Sequence, residues 1–166
     1  MAERGDTVVS ISPSDPMLPR GTYSVGIHPW ATEGGAPSLA ELKKLVGVAR
    51  DPRVVAIGEC GFDRLRGGDI ALQQPLFDFH AKLAARLGKP LIIHAVRSTD
   101  LLLAAARRLR PESGTWIIHG FRGKAATARQ LLDAGFAMSL GERFNPELLE
   151  IIPPERLYRE TDAQTL

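Results

Sequence analysis

Cysteine is nearly absent from this chain: Cys60 is the only one in 166 residues. A lone thiol excludes an internal disulfide and fits a reducing cytoplasm. Long hydrophobic runs are missing too. No apolar stretch approaches the roughly 18 residues of a membrane helix. The N-terminal "MAERGDTVVSISPSD" lacks the apolar segment of a secretory signal, so the cytoplasm is the default setting. Charge of one sign is scarce as well. The 21 Lys and Arg are nearly balanced by 19 Asp and Glu, leaving +2. That balance permits contact with a polyanion without arguing for one. Heptads and low-complexity tracts are missing, and no glycine-rich dinucleotide loop follows the first apolar run, which weakens the case for a doubly wound nucleotide fold. What remains is an ordinary globular composition, 44% apolar and 24% charged, and a length that suits one domain over residues 1–166.

Short apolar runs alternate with longer segments of helical period. "TVVSISP", "TYSVGIHP", "VVAIGE", "LIIH", "TWIIHGF", "FAMSL" and "RLYRETD" read as strands. Between them lie helices over 38–49, 71–87, 99–109 and 125–134, with a short one near 146–151. Ser38 is a plausible N-cap, and Glu41 completes a capping box. Pro75 belongs in the first turn of its helix, and Gly88 suits the C-terminal cap. Near-continuous apolar strands in a βαβα rhythm point to a parallel sheet buried on both faces. The expected fold is α/β, an incomplete (β/α) barrel of TIM type with seven of eight parallel strands.

Ligand chemistry recurs where these strands end. "SVGIHP" ends on His28, "VVAIGE" on Glu59, "PLIIH" on His94, "TWIIH" on His119 and "YRETD" on Asp162. Parallel strands deliver their C-terminal ends to one rim, so these residues are expected to converge. Imidazole and carboxylate are the usual ligands of zinc, manganese and related ions, and mixed sites of this kind support hydrolysis. Any one of these histidines alone is more often a hydrogen-bonded core residue, but three of the four in the chain sit at strand ends. The exception, His80, reads as a surface or packing residue of the long helix. Cys60 reads as a small buried thiol. Asp63 has two readings of equal weight: a carboxylate that orients a metal ligand, or a turn residue in "GFDRLRGG".

The stretches "SVGIHPW", "VVAIGECGFD", "KPLIIHAV", "WIIHGFRGK" and "ETD" occur in the order and spacing of the TatD family, which this chain resembles over nearly its whole length. That family belongs to the amidohydrolase superfamily of metal-dependent hydrolases and deoxyribonucleases. The resemblance implies a TIM-barrel fold and hydrolysis of phosphodiesters with two divalent ions. It implies that Glu59 bridges both ions and that His94 and His119 complete the shell of one. It implies that Asp162 holds the other and helps activate water. His28 would touch substrate or groups behind the ligands, and Arg122 would contact phosphate through its guanidinium fork. The ions would be zinc, manganese, nickel or magnesium, and the substrate DNA or a small phosphodiester.

The chain departs from the family pattern at both ends. The family's opening strand with His-x-His has no counterpart, "TVVSISP" aligns best with the second family strand, and the closing helix is absent. The second ion is therefore expected to bind weakly or not at all, and two unpaired sheet edges are expected to promote self-association. A fragment, a mis-started reading frame and a divergent member remain equally open. The rival reading is a non-catalytic metal- or phosphate-binding remnant of the same fold that self-associates.

Overall fold

The structure, a computed structural model, describes residues 7–160. Seven strands alternate with helices: β1 (Val8–Ile11), β2 (Thr22–Val25), α1 (Leu39–Ala49), β3 (Val54–Asp63), α2 (Ile70–Leu87), β4 (Leu91–Val96), α3 (Thr99–Leu109), β5 (Trp116–Ile118), α4 (Ala125–Asp133), β6 (Ala137–Leu140), α5 (Leu148–Ile151) and β7 (Leu157–Arg159). All pairings are parallel and the strand order is that of the chain, β1 to β7. A doubly wound sheet must reverse its strand order at a switch point. Here there is no reversal. Successive right-handed crossovers then leave every helix on one face and curl the sheet towards a barrel. The fold is therefore a TIM-barrel-like α/β architecture, with β1 and β7 each paired on one side only among the described residues.

Local chemistry accounts for the elements. Ser38 caps α1 as its position suggests: its Oγ accepts the Glu41 N–H (3.1 Å), and the Glu41 carboxylate accepts the Ser38 N–H (2.7 Å). Gly88 ends α2 in the left-handed region (φ 64°), where a side chain is disfavoured. Helix α2 starts at Ile70, so Pro75 lies beyond the first turn rather than in it. It thus removes one N–H that the helix would otherwise use.

The helices pack on the sheet through an aromatic chain. The ring of Phe77 on α2 lies 4.9 Å from Phe62 of β3 and 5.2 Å from Trp116 of β5, which is 5.7 Å from Phe136. All four are buried, within one hydrophobic cluster that spans the sheet. His80 belongs to this packing layer and not to the surface. It is fully buried, accepts the Ile27 N–H at Nε2 (2.9 Å) and lies 2.8 Å from the Leu76 carbonyl through Nδ1.

Strands β3 and β4 run past the residues on which the sequence expectation ended them, β4 to Val96 instead of His94, while β2 and β5 stop short of His28 and His119. Strand β3 does not stop at Glu59 but continues to Asp63, paired with β4 as far as Val96. Glu59 is the extra residue in a register shift, since Gly58 faces Ile92 and Cys60 faces Ile93. Such a bulge re-aims a side chain within a strand that stays paired on either side. The extension needs a close backbone approach. Gly61 (φ 149°) lies so near the His94 carbonyl that an added Cβ would overlap it.

Candidate metal centre at the strand rim

Glu59, aimed by the bulge of β3, stands between imidazoles on both sides. Its Oε2 is 3.6 Å from His28 Nε2, and its Oε1 is 3.2 Å from His119 Nε2. His28 follows β2 and opens a 3-10 turn (Pro29–Gly34), where its Nδ1 accepts the Trp30 N–H (3.2 Å). With Nδ1 so engaged, neutral His28 turns Nε2 towards Glu59. Burial, and next the neighbouring His94, lower the His28 pKa to about 4 against an opposing pull from Asp63, so the ring is neutral at pH 7. His94 sits on β4, its ring 4.4 Å from that of His28. Donor atoms of His28, Glu59 and His94 all lie within 4.8 Å of one another. His119 follows β5 directly and reaches Glu59 from the other side.

A layer of hydrogen bonds holds these donors from behind. His94 Nε2 lies 2.8 Å from Asp63 Oδ2, which leaves Nδ1 clear of that carboxylate. The same oxygen accepts Trp30 Nε1–H (2.7 Å), while Oδ1 accepts the N–H groups of Leu65 and Arg66 (2.8 and 3.0 Å). Asp63 thus hydrogen-bonds the His94 ring with one oxygen and anchors a turn with the other. Burial alone would raise its pKa, but the hydrogen bonds from Trp30, His94 and the two amides outweigh it and hold the carboxyl below its ordinary value. Gln73, buried on α2, ties the loop down. Its Oε1 accepts the Asp63 N–H (2.8 Å), and its Nε2 donates to the carbonyls of Asp63 and Gly68 (2.9 and 2.7 Å). Cys60 points away from the centre and is fully buried, with its thiol pKa pushed up by burial and then by Glu59.

Two positions in the centre, Glu160 and Trp30, were not singled out by the strand-end pattern. Glu160 lies 3.3 Å from His119 Nδ1 and accepts Ser139 Oγ–H (2.9 Å). Trp30 stands edge-on to both His28 and His94, with the Arg66 guanidinium 3.8 Å from its ring. A signal for each was present: Glu160 precedes Asp162 by two, the spacing of a shared strand face, and Trp30 closes "GIHPW". Asp162 itself lies outside the described residues. Arg122 does not touch Glu59. It is exposed and lines a neighbouring cleft of about 1080 Å³ that opens beside His94 and His119. The close donor set thus contains His28 where the resemblance implied His119. The reason is geometric: the two oxygens of Glu59 face opposite ways.

A (β/α) sheet with histidines and a central carboxylate gathered at its C-terminal rim defines a class, the barrel proteins that carry a polar centre on their strand ends. Comparison with known proteins narrows it. A family model described as TatD related DNase matches residues 17–164. A 3'-5' ssDNA/RNA exonuclease TatD from Klebsiella pneumoniae is 34% identical over 152 residues, covering 86% of this chain and 57% of that protein. An uncharacterized metal-dependent hydrolase TatD from Mycobacterium tuberculosis is 37% identical over 157 residues, covering 86% and 58%. Among solved structures, a TatD homologue from Escherichia coli superposes with a TM-score of 0.69 at 30% identity, covering 85% of this chain and 57% of that one. This chain belongs to the TatD family. It spans a little over half the length of the relatives it matches. Among the described residues, no helix is long and apolar enough to cross a membrane.

Proposed function

We propose that the chain is a metal-dependent hydrolase of TatD type that acts on phosphodiester or related ester bonds, with single-stranded nucleic acid as the substrate class. The observation that carries this reading is the close set of His28, Glu59 and His94 donor atoms, all within 4.8 Å. Its chemistry fits a divalent cation: one carboxylate oxygen and two imidazole nitrogens, an oxygen–nitrogen set that zinc, manganese and nickel accept readily and magnesium less so. Glu59, His94 and the neighbouring His28 are the close core of the proposed donor set, His119 is a further ligand on the opposite oxygen of Glu59, and Asp162 completes it. When bound, the cation supplies positive charge against the phosphodiester anion and acidifies water.

The chain's own residues do the rest. Glu59 offers an oxygen to each side of the centre. Asp63 fixes the tautomer and orientation of His94, as a carboxylate behind a ligating imidazole does, and Trp30 fixes Asp63. Glu160 does the same for His119. His28, held neutral by burial and backed by the Trp30 amide, turns Nε2 towards Glu59, where it is proposed to meet the cation or the substrate beside it. Arg122 is proposed to meet a substrate phosphate.

The relatives named as 3'-5' exonucleases acting on ssDNA and RNA support the substrate class. One continuous sheet supports treating 1–166 as a single domain. The buried free Cys60 supports a cytoplasmic setting. The edges of β1 and β7, each paired on one side only among the described residues, support self-association.

The test is Glu59→Gln, assayed on a generic phosphodiester with added manganese or zinc. The variant is expected to lose metal-dependent turnover by at least about a hundredfold. Turnover equal to that of the parent contradicts the assignment. A parent that holds one ion tightly and turns over nothing favours the non-catalytic metal-binding reading.

A further inference from the structure

The cleft beside the centre is walled by the loops that follow three consecutive strands. Arg97 comes from the loop after β4, Arg122 and Lys124 from the loop after β5, and Arg143 from the loop after β6. All four are exposed, and among the described residues none of them is in an ion pair with a carboxylate. The other exposed arginines near the rim are spoken for: Arg64 is paired with Asp100, and Arg66 with Glu33 and the Trp30 ring. Of the two acidic residues lining the cleft, Glu142 and Glu160, the latter is turned to His119 and Ser139. The cations therefore line, from three successive loops, a track in the cleft that also holds His94 and His119.

One phosphate at the metal centre would occupy only the end of this track. A cleft of about 1080 Å³ has room for more than one phosphate ester, and four like charges gathered on its wall, in no ion pair with a carboxylate among the described residues, favour an anion with repeated charges. A concave, positively lined groove with no sequence-reading element suits a flexible single strand held by its backbone.

We propose that this cleft is a subsite for the phosphates flanking the one at the metal centre, with Arg97, Lys124 and Arg143 as its backbone contacts. The protein thereby distinguishes an oligonucleotide from a small phosphate ester. The orientation of the strand rests on the hydrolase reading above, but binding in the cleft does not need the metal. Thr99 and Thr127, at the first turns of α3 and α4, line the same cleft and add hydroxyl donors.

The experiment is fluorescence anisotropy on the full chain in EDTA, with labelled thymidylate probes, a dinucleotide and a hexanucleotide, over a range of salt. The hexanucleotide is expected to bind more tightly. The double variant Arg97→Asn, Arg143→Gln is expected to weaken the hexanucleotide by about tenfold or more, the usual effect of losing charge-assisted contacts, and to leave the dinucleotide little changed. Asn is chosen at residue 97 because the backbone there is left-handed (φ 49°), which Asn tolerates. The slope of log affinity against log salt is expected to fall by roughly 0.7 for each contact removed from a single strand. The charge-keeping pair Arg97→Lys, Arg143→Lys is expected to retain most of the slope. Equal affinity for both probes overturns the proposal, as does an unchanged slope in the Asn/Gln pair or a slope lost equally in the Lys pair. The hydrolase reading fails separately. If the length preference stands while no Glu59-dependent turnover is found, only that reading is lost; if turnover stands and the arginine pair has no effect, only the subsite is lost.

Discussion

His80 carries a proton on Nδ1, because its Nε2 accepts the Ile27 amide and its Nδ1 faces the Leu76 carbonyl. Burial lowers its pKa to about 4, against an opposing pull from Leu76. The unfolded chain titrates this ring near 6.5, so below that pH the unfolded state binds a proton that the native state refuses. The stability from His80 is therefore full above about pH 6.5 and is lost as the pH falls to 4, by on the order of 3 kcal/mol. Urea unfolding at pH 7 and pH 5 checks this. Stability is expected to fall towards pH 5, and His80→Gln is expected to show the shallower fall, with the share of His28 remaining. Equal falls in both proteins contradict the assignment. At this scale the sequence was legible where residue type alone decides. Glu59, His94 and His119 were found because apolar runs led into them, and Cys60 because a lone thiol in such a run is a core residue. Glu160 and Trp30 were not found, since what marks them is a hydrogen bond across the rim to a residue far away in sequence.

Helix α1 was readable almost to the residue because its signals are local: Ser38, Glu41 and an apolar stripe suffice. The cap also supplies an element-scale prediction. Ser38→Ala removes the acceptor for the Glu41 amide and is expected to cost about 1 kcal/mol, measured as a shift in the urea midpoint without a change in m-value. A midpoint equal to the parent's within error contradicts it. Strand β3 was legible only in its first half. Beyond Glu59 the sequence "CGFD" has two poor strand formers, Gly and Asp, so its intrinsic preference ends the strand there. Pairing with β4 through Val96 overrides that preference. The bulge at Glu59 arises from the same pairing, and no local pattern marks it. Helix α2 began a residue earlier than its period suggested, and Pro75, its sixth residue, lies past the first turn. Boundaries of this kind are set by the loop that Gln73 clamps, a contact invisible to helical periodicity.

The strand order β1 to β7 follows from alternation of strands and helices with short right-handed connections, so the architecture was legible at the scale of the whole molecule. The convergence of the rim residues follows from it, since every strand points the same way. The sheet leaves β1 and β7 each with one free edge among the described residues, and Val8 and Val9 on β1 are exposed. Unpaired edges with apolar side chains promote pairing with another chain. Light scattering after size-exclusion chromatography is expected to give a mass above that of one 18.0 kDa chain, increasing with concentration; a sharp monomer at all concentrations contradicts this. The central claim is that this topology brings His28, Glu59 and His94, with His119 opposite, into one cation site. Calorimetric titration of the chain with manganese or zinc tests it most directly. At least one ion per chain is expected to bind, with affinity reduced by about a hundredfold or more in Glu59→Gln, His94→Ala; a chain that takes up no ion, or a double variant that binds like the parent, contradicts the account.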